Sequence, residues 1–180
     1  MTKINAFKMN YHDIDIGNNV PDSFRAVIEI PKDSRNKYEL HGELLILDRV
    51  LHSSLSYPTN YGFIPRTLAK DGDALDILVW SRFPLDTRCV VIVRTLGMLK
   101  MRDEQGEDNK ILAVLINDSF FEETKGIAHV QEGFLNEITQ FFKRYKELEE
   151  GKATEIDGWY GKQIAKECIL DSIKRYKTEK

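Results

Sequence analysis

Cysteine is nearly absent from this chain: Cys89 and Cys168 lie far apart, in apolar surroundings, and form no CxxC spacing. Buried free thiols are expected from that pattern, rather than a disulfide frame or a metal site. Histidine is scarce as well. His12, His41, His52 and His129 make no HxH, HExxH or Cys-His spacing, which removes the zinc readings. Long apolar runs are missing, since the longest, Ile111–Ile116, falls far short of the roughly 18 residues of a membrane span. The start of the chain mixes Lys3, Asn5 and Lys8 with single apolar residues and holds no signal-peptide core. A soluble, cytoplasmic protein with no membrane partner is therefore expected. Positive charge shows no excess. A net charge of -3 argues against a nucleic-acid partner bound through a basic surface. The Walker A loop, the GxGxxG loop and the GxSxG turn are all lacking, so nucleotide-driven work and covalent serine chemistry have no support.

What is present is an ordinary globular balance, 42% hydrophobic and 31% charged over 180 residues. Residues 1–180 are read as a single domain with a sizeable core, without repeats or linker-like stretches. Phe24–Ile30 reads as a strand that Pro31 ends, and Tyr38–Leu40 and Glu43–Val50 as two strands turning at His41-Gly42. All five prolines fall between Pro21 and Pro84, which points to short strands and tight loops there. Ile77–Trp80, Cys89–Met101 and Ile111–Ile116 extend the β pattern. Beyond residue 130 the period changes: Phe134, Ile138, Phe141, Phe142, Tyr145 and Leu148 predict an amphipathic helix stopped at Gly151. An extended piece at Ile156–Trp159 precedes a second helical pattern through Ile164, Cys168, Ile169, Ile173 and Tyr176. The sum is an α+β arrangement, a curled sheet or small barrel with two helices.

Two acidic clusters stand out, Asp71-Gly72-Asp73-Ala74-Leu75-Asp76 and Asp103-Glu104-Gln105-Gly106-Glu107-Asp108. They hold seven carboxylates in twelve residues, against 29 Asp and Glu in 180 residues overall. Each sits in a connection at a strand end, where scaffolds display chemistry. If they meet, two carboxylates about 5 Å apart repel by roughly 3 kcal/mol at an effective dielectric of about 20. Hard divalent cations compensate best, because Mg²⁺ prefers carboxylate oxygens and keeps waters that a substrate phosphate can replace. An EF-hand is excluded: counted from Asp71, its sixth and twelfth positions hold Asp76 and Arg82 instead of Gly and Glu. A solvated turn remains the plain reading of either cluster taken alone.

A phosphate site also needs cations and donors, and Lys37, Arg49, Tyr57, Tyr61 and Arg144-Tyr145-Lys146 supply candidates. Each has a bland alternative as a solvated charge or a packed ring. The tripeptide RYK recurs at 175–177, where it reads as a charged helix end, and spacing alone does not separate the two copies. Trp159 reads as packing between elements.

As an ordered set, VIEIP (27–31), KYE (37–39), Asp48-Arg49, YPTNYGFIP (57–65), DGDALDILV (71–79), LKMRDEQGEDNK (99–110) and FFKRYKELEEGK (141–152) resemble the family I soluble inorganic pyrophosphatases. The resemblance runs from about residue 24 to Trp159. It implies a five-stranded OB-like β-barrel with two packed α-helices, hydrolysing pyrophosphate to two orthophosphates by direct attack of a metal-activated water. It further implies several Mg²⁺ per active site, with Mn²⁺ or Zn²⁺ as substitutes. Carried across by position, Asp71, Asp76 and Asp108 hold one activating metal and Asp76 bridges to a second. Asp73 accepts the proton of the attacking water, Asp103 joins Asp108 on a metal delivered with substrate, and Glu29 supports a further one through water. Lys37, Arg49, Tyr61, Lys110, Tyr145 and Lys146 grip the phosphates, with Glu39, Tyr57 and Glu104 as close supports. A homo-oligomer is implied too, a hexamer by preference, although Gln140 and Arg144 stand where some members carry trimer-contact histidines. A two-metal nuclease would use similar carboxylates, but no basic stripe with interleaved aromatics is present. A non-catalytic OB-like module would have no use for a base beside a metal bridge.

Overall fold

A computed structural model describes residues 10–179; the polar start at residues 1–9 lies outside the described residues, as does 180. The elements are β1 (Ser23–Ile30), β2 (Asn36–His41), β3 (Leu44–Val50), β4 (Asn60–Phe63), β5 (Asp76–Trp80), β6 (Val90–Asp103), β7 (Gly106–Glu107), β8 (Lys110–Leu115), α1 (Glu132–Arg144), β9 (Thr154–Gly161) and α2 (Lys162–Glu179). Two helices thus accompany a mixed sheet. Within it β1, β4, β5, β8 and β6 pair in that order, and β6 also pairs back to β1, so the hydrogen bonding runs around a ring. β5 and β8 are parallel, while the other pairs are antiparallel. β2 and β3 form a separate hairpin, turned by Gly42 at φ +64°.

The strands read as near-continuous apolar runs because both faces are covered. In β5, Ile77 and Val79 join Ile111 and Ala113 of β8 on one face, where Ala165 and Ile169 of α2 pack. Leu78, Leu112 and Val114 go to the opposite face, under Ile138, Phe141 and Phe142 of α1. β6 is long enough to serve two partners along one edge: Val90–Arg94 pair with β1, and Gly97–Asp103 with β9, while β8 lies on the other edge. A bulge between Thr95 and Gly97 marks the change of partner. Trp159 on β9 packs against α1 and donates to Thr139 Oγ1 at 3.0 Å, a packing role as expected.

Some boundaries differ from the sequence expectation. The apolar period predicts helix through Leu148, yet α1 ends at Arg144 and Leu148 is 64% exposed. Tyr145 and Lys146 are instead buried in the turn beyond the helix. The cysteines are free, but only half-buried. Among the described residues no helix is long and apolar enough to cross a membrane.

Gly62, in β4, sits where a Cβ would meet the Val27 carbonyl oxygen at 1.8 Å. Backbone on the neighbouring strand cannot swing aside as a side chain can. Gly62→Ala is expected to cost about 3 kcal/mol in urea or thermal unfolding. Gly133→Ala, in open space on α1, is expected to be neutral or stabilising by up to about 1 kcal/mol.

Candidate active site

Strand register brings the acidic clusters to one place. Asp76 opens β5, and the parallel pairing sets it directly beside Lys110 at the start of β8. Asp108 lies two residues before Lys110, the spacing that returns a side chain to the same face of an extended chain. The outcome is a buried triad: Lys110 Nζ donates to Asp76 Oδ2 at 2.5 Å and to Asp108 Oδ1 at 2.5 Å. Lys110 is 1% exposed. Burial alone would lower its pKa, but the charges of Asp108 and Asp76 hold it well above the usual lysine range. Burial pushes the Asp76 carboxyl up to about 6 against the pull of Lys110, with Asp108 adding to the rise. Burial would raise Asp108 too, yet Lys110 keeps it below the ordinary carboxylate value.

The other acidic residues approach the same cleft from loops and strand ends. Asp71 and Asp73 lie in the connection between β4 and β5, where Gly72 takes φ +98° and Asp71 Oδ1 accepts the Asp73 amide at 3.0 Å. Burial raises the Asp71 pKa. Asp103 ends β6, and Gly106 at φ +121° turns the chain back into β7. Lys146 donates to Asp103 at 2.8 Å and lies 3.5 Å from Glu104. Lys152 also pairs with Glu104, at 2.8 Å. Although burial opposes it, the Lys152 hydrogen bond holds the Glu104 carboxyl down at about 2. Glu29, on β1, accepts the Leu40 amide at 2.7 Å, and burial pushes its carboxyl up to about 8.

The opposite wall comes from the β2–β3 hairpin and the end of α1. Lys37 lies between Glu39 and Asp48, the latter at 2.9 Å. Arg49 pairs with Asp48 at 2.5 Å and with Glu149 at 2.8 Å. The rings of Tyr61 and Phe142 lie 5.6 and 5.4 Å from Lys110 Nζ, and Lys146 Nζ lies 5.4 Å from the Tyr145 ring. Tyr57 does not reach the cleft. It is 2% exposed and packs behind Tyr61, ring centroids 5.5 Å apart, and against Phe141 at 4.7 Å. The remaining candidates, Glu29, Lys37, Glu39, Arg49, Tyr61, Asp71, Asp73, Asp76, Asp103, Glu104, Asp108, Lys110, Tyr145 and Lys146, all line one cleft of about 770 Å³.

Sequence reasoning passed over several neighbours. Asp48, Glu149 and Lys152 complete the ion pairs, and His12 stacks on Phe63 at 4.2 Å on the cleft wall. Asp48 lay in plain view beside Arg49. Glu149 and Lys152 reach the site only through the turn after α1, which periodicity misread as helix. The second RYK is more than a charged helix end: Tyr176 lines the cleft and donates to Asp13 at 2.6 Å, and Arg175 binds the Leu68 carbonyl at 2.9 Å.

The donor set suits a hard cation. It consists of carboxylate oxygens, and Mg²⁺ needs only one or two of these beside water and phosphate. Among the described residues no three His, Cys, Asp or Glu side chains converge closely enough to hold a metal by themselves. Lysines draw the carboxylates instead: Lys110 joins Asp76 to Asp108, and Lys146 joins Asp103 to Glu104.

The model of the family described as inorganic pyrophosphatase matches residues 26–177. The chain is 42% identical over 174 residues to the inorganic pyrophosphatase of Ralstonia nicotianae, covering 94% of this chain and 99% of that protein. It is 45% identical over 163 residues to the inorganic pyrophosphatase of Sulfolobus acidocaldarius, covering 88% and 94%. The crystal structure of inorganic pyrophosphatase from Thermus thermophilus superposes with a TM-score of 0.91 at 42% identity, covering 93% of this chain and 99% of that one.

Removing the central cation leaves two buried carboxylates facing each other. Lys110→Met is expected to lower the metal-free unfolding free energy by about 3–5 kcal/mol. Denaturant titration with chelator present checks this, and added Mg²⁺ is expected to recover part of the loss.

Proposed function

The chain belongs to the inorganic pyrophosphatase family and hydrolyses pyrophosphate, and we propose that it does so in the cleft between the two acidic connections and the β2–β3 hairpin. The observation that carries this reading is the concentration of fourteen candidate residues, carboxylates beside lysine, arginine and tyrosine, in a single cleft. An acidic site alone would repel a polyanion, and a basic one would bind it without preparing a nucleophile. The family is metal-dependent, and the proposed cofactor is Mg²⁺, several ions per site, with Mn²⁺ or Zn²⁺ as substitutes. Asp71, Asp76, Asp103 and Asp108 would hold them, with Glu29 acting through water. When bound, such cations supply positive charge against the substrate and activate the attacking water.

The protein's own groups do the rest. Lys37, Arg49, Tyr61, Lys110, Tyr145 and Lys146 take up phosphate oxygens, exchanging their present partners for substrate. This fixes the reacting phosphorus in line and stabilises charge on the departing phosphate, which is most of what phosphoryl transfer demands of a protein. Asp73 is exposed on its loop and accepts the proton of the attacking water at a carboxylate oxygen. Tyr57 acts from behind, holding Tyr61 in place, and Glu39 and Glu104 orient Lys37 and Lys146. The closed ring of strands is read as an OB-like barrel and residues 1–180 as one domain. A homo-oligomer, a hexamer by preference, accords with the exposed apolar side chains of β3, where Leu44 is 61% and Leu47 51% exposed. A cytoplasmic setting suits a chain whose described helices are not membrane spans.

The test is orthophosphate release. Release from pyrophosphate with Mg²⁺, and very little from nucleotides or DNA, is expected; no release at millimolar Mg²⁺ would overturn the reading. Asp73→Asn keeps the shape and removes the base, so turnover is expected to fall about 10²- to 10⁴-fold with unchanged far-UV dichroism. Ca²⁺ is expected to inhibit rather than replace Mg²⁺, because its bonds of about 2.3–2.6 Å exceed the 2.0–2.1 Å of Mg²⁺ and shift the in-line geometry. Turnover measured with each ion alone and in mixture checks this.

A further inference from the structure

The loop that carries Asp71 and Asp73 is tied to the last turns of α2, outside the part of the chain that the sequence motifs cover. At its base, Thr67 Oγ1 donates to the Ile64 carbonyl at 2.5 Å and accepts the Leu75 amide at 2.9 Å, closing the loop's neck. Next along the chain, Leu68 is gripped on both backbone groups. Its amide donates to the Ser172 carbonyl at 3.0 Å, and its carbonyl accepts Arg175 Nε at 2.9 Å. Ala69 then passes this anchorage to the acidic residues, since its amide donates to the Asp73 carbonyl at 2.7 Å and its carbonyl accepts the Gly72 amide at 3.3 Å.

The anchor is itself braced. Ser172 is fully buried; its hydroxyl donates to the Cys168 carbonyl at 2.9 Å and accepts the Arg175 guanidinium at 3.0 Å. Ala69 packs in the same apolar cluster as Ile169 and Ile173 of α2. Arg175 is half-buried, and its planar fork serves two acceptors at once, which a lysine ammonium on a flexible stem does less well. By contrast the loop's outer tie, Lys70 to Glu107 at 2.9 Å, joins side chains 58% and 35% exposed, and such a pair contributes little.

We propose that Arg175, braced by Ser172, is a positioning residue for the reaction: it fixes the Leu68–Ala69 strut and thereby the placement of Asp71 and Asp73. This rests on the pyrophosphatase reading of the cleft for what the two aspartates do. Arg175 touches neither substrate nor reacting atoms. Lys37, Arg49, Lys110 and Lys146, the proposed phosphate-binding cations, stand on other elements, so once Mg²⁺ is saturating, loss of the clamp should spare substrate affinity while harming turnover, and metal binding to the substrate-free protein should weaken.

Arg175→Met and Arg175→Lys are compared with the parent and with Lys174→Met, an exposed neighbour on the same helix. Mg²⁺ binding is measured by calorimetry on substrate-free protein, and kcat and KM by phosphate release at saturating Mg²⁺, well below the melting temperature of each variant. In Arg175→Met, Mg²⁺ affinity and kcat are expected to fall about tenfold or more, with KM for pyrophosphate within about twofold of the parent. Arg175→Lys is expected to recover part of both, and Lys174→Met to match the parent. Parent-like Mg²⁺ affinity and kcat in Arg175→Met would overturn the proposal, as would a loss shared equally by Lys174→Met. The binding arm judges the clamp even if the parent released no phosphate, an outcome that would overturn the assigned reaction instead.

Discussion

A buried ammonium between two carboxylates is the constraint on which this architecture turns. Lys110 cannot lie 1% exposed at the start of β8 unless Asp76 and Asp108 meet it there. Neither carboxylate would tolerate the other without it. Satisfying all three requires β5 and β8 to run parallel in one register, and that pairing sits in the middle of the ring of strands. The same requirement therefore shapes the sheet and assembles the acidic centre. Apolar burial on both faces of β5 and β8 supplies the stability that an ion triad by itself does not.

The triad also explains how an acidic site can exist before substrate arrives. Each proposed phosphate-binding cation has a carboxylate partner: Lys37 has Glu39 and Asp48, Arg49 has Asp48 and Glu149, and Lys146 has Asp103 and Glu104. The charges are balanced internally, and bringing in a polyanion would upset that balance. Divalent cations restore it by neutralising the carboxylates that the lysines and Arg49 release. Metal and substrate are then two halves of one exchange, and each is expected to favour the binding of the other. Asp71 and Asp73, in contrast, carry no ion pair among the described residues, which suits groups kept ready for metal and proton. Their placement relies on the backbone ties to α2.

Much of this was legible in the chain. The apolar runs located β1, β5, β6 and β8 within a residue or two, because strands covered on both faces leave an unbroken signal. The acidic clusters stood out by charge density, and the Lys, Arg and Tyr positions followed once the ordered motifs were matched. Two of the partners in the ion pairs were not legible. Glu149 and Lys152 act through contacts between distant elements, with Arg49 and Glu104, and nothing in local spacing distinguishes them from solvated charges. β4 was hidden inside a motif of turn and aromatic residues, with Gly62 present because the Val27 carbonyl leaves no room for a Cβ. The end of α1 was misplaced because Leu148 continues the apolar period into a turn where it is exposed. Arg175 read as a surface charge because its acceptor, Leu68, lies 107 residues away in sequence.

On the proposed reading, internal carboxylate partners are neutralised by metal before the cations take a diphosphate. Calorimetric titration with imidodiphosphate, in which nitrogen replaces the bridging oxygen and hydrolysis is slowed, tests this most directly. Tight binding to the Mg²⁺-loaded protein and weak binding in chelator are expected. Equal affinity in the two conditions would contradict that reading.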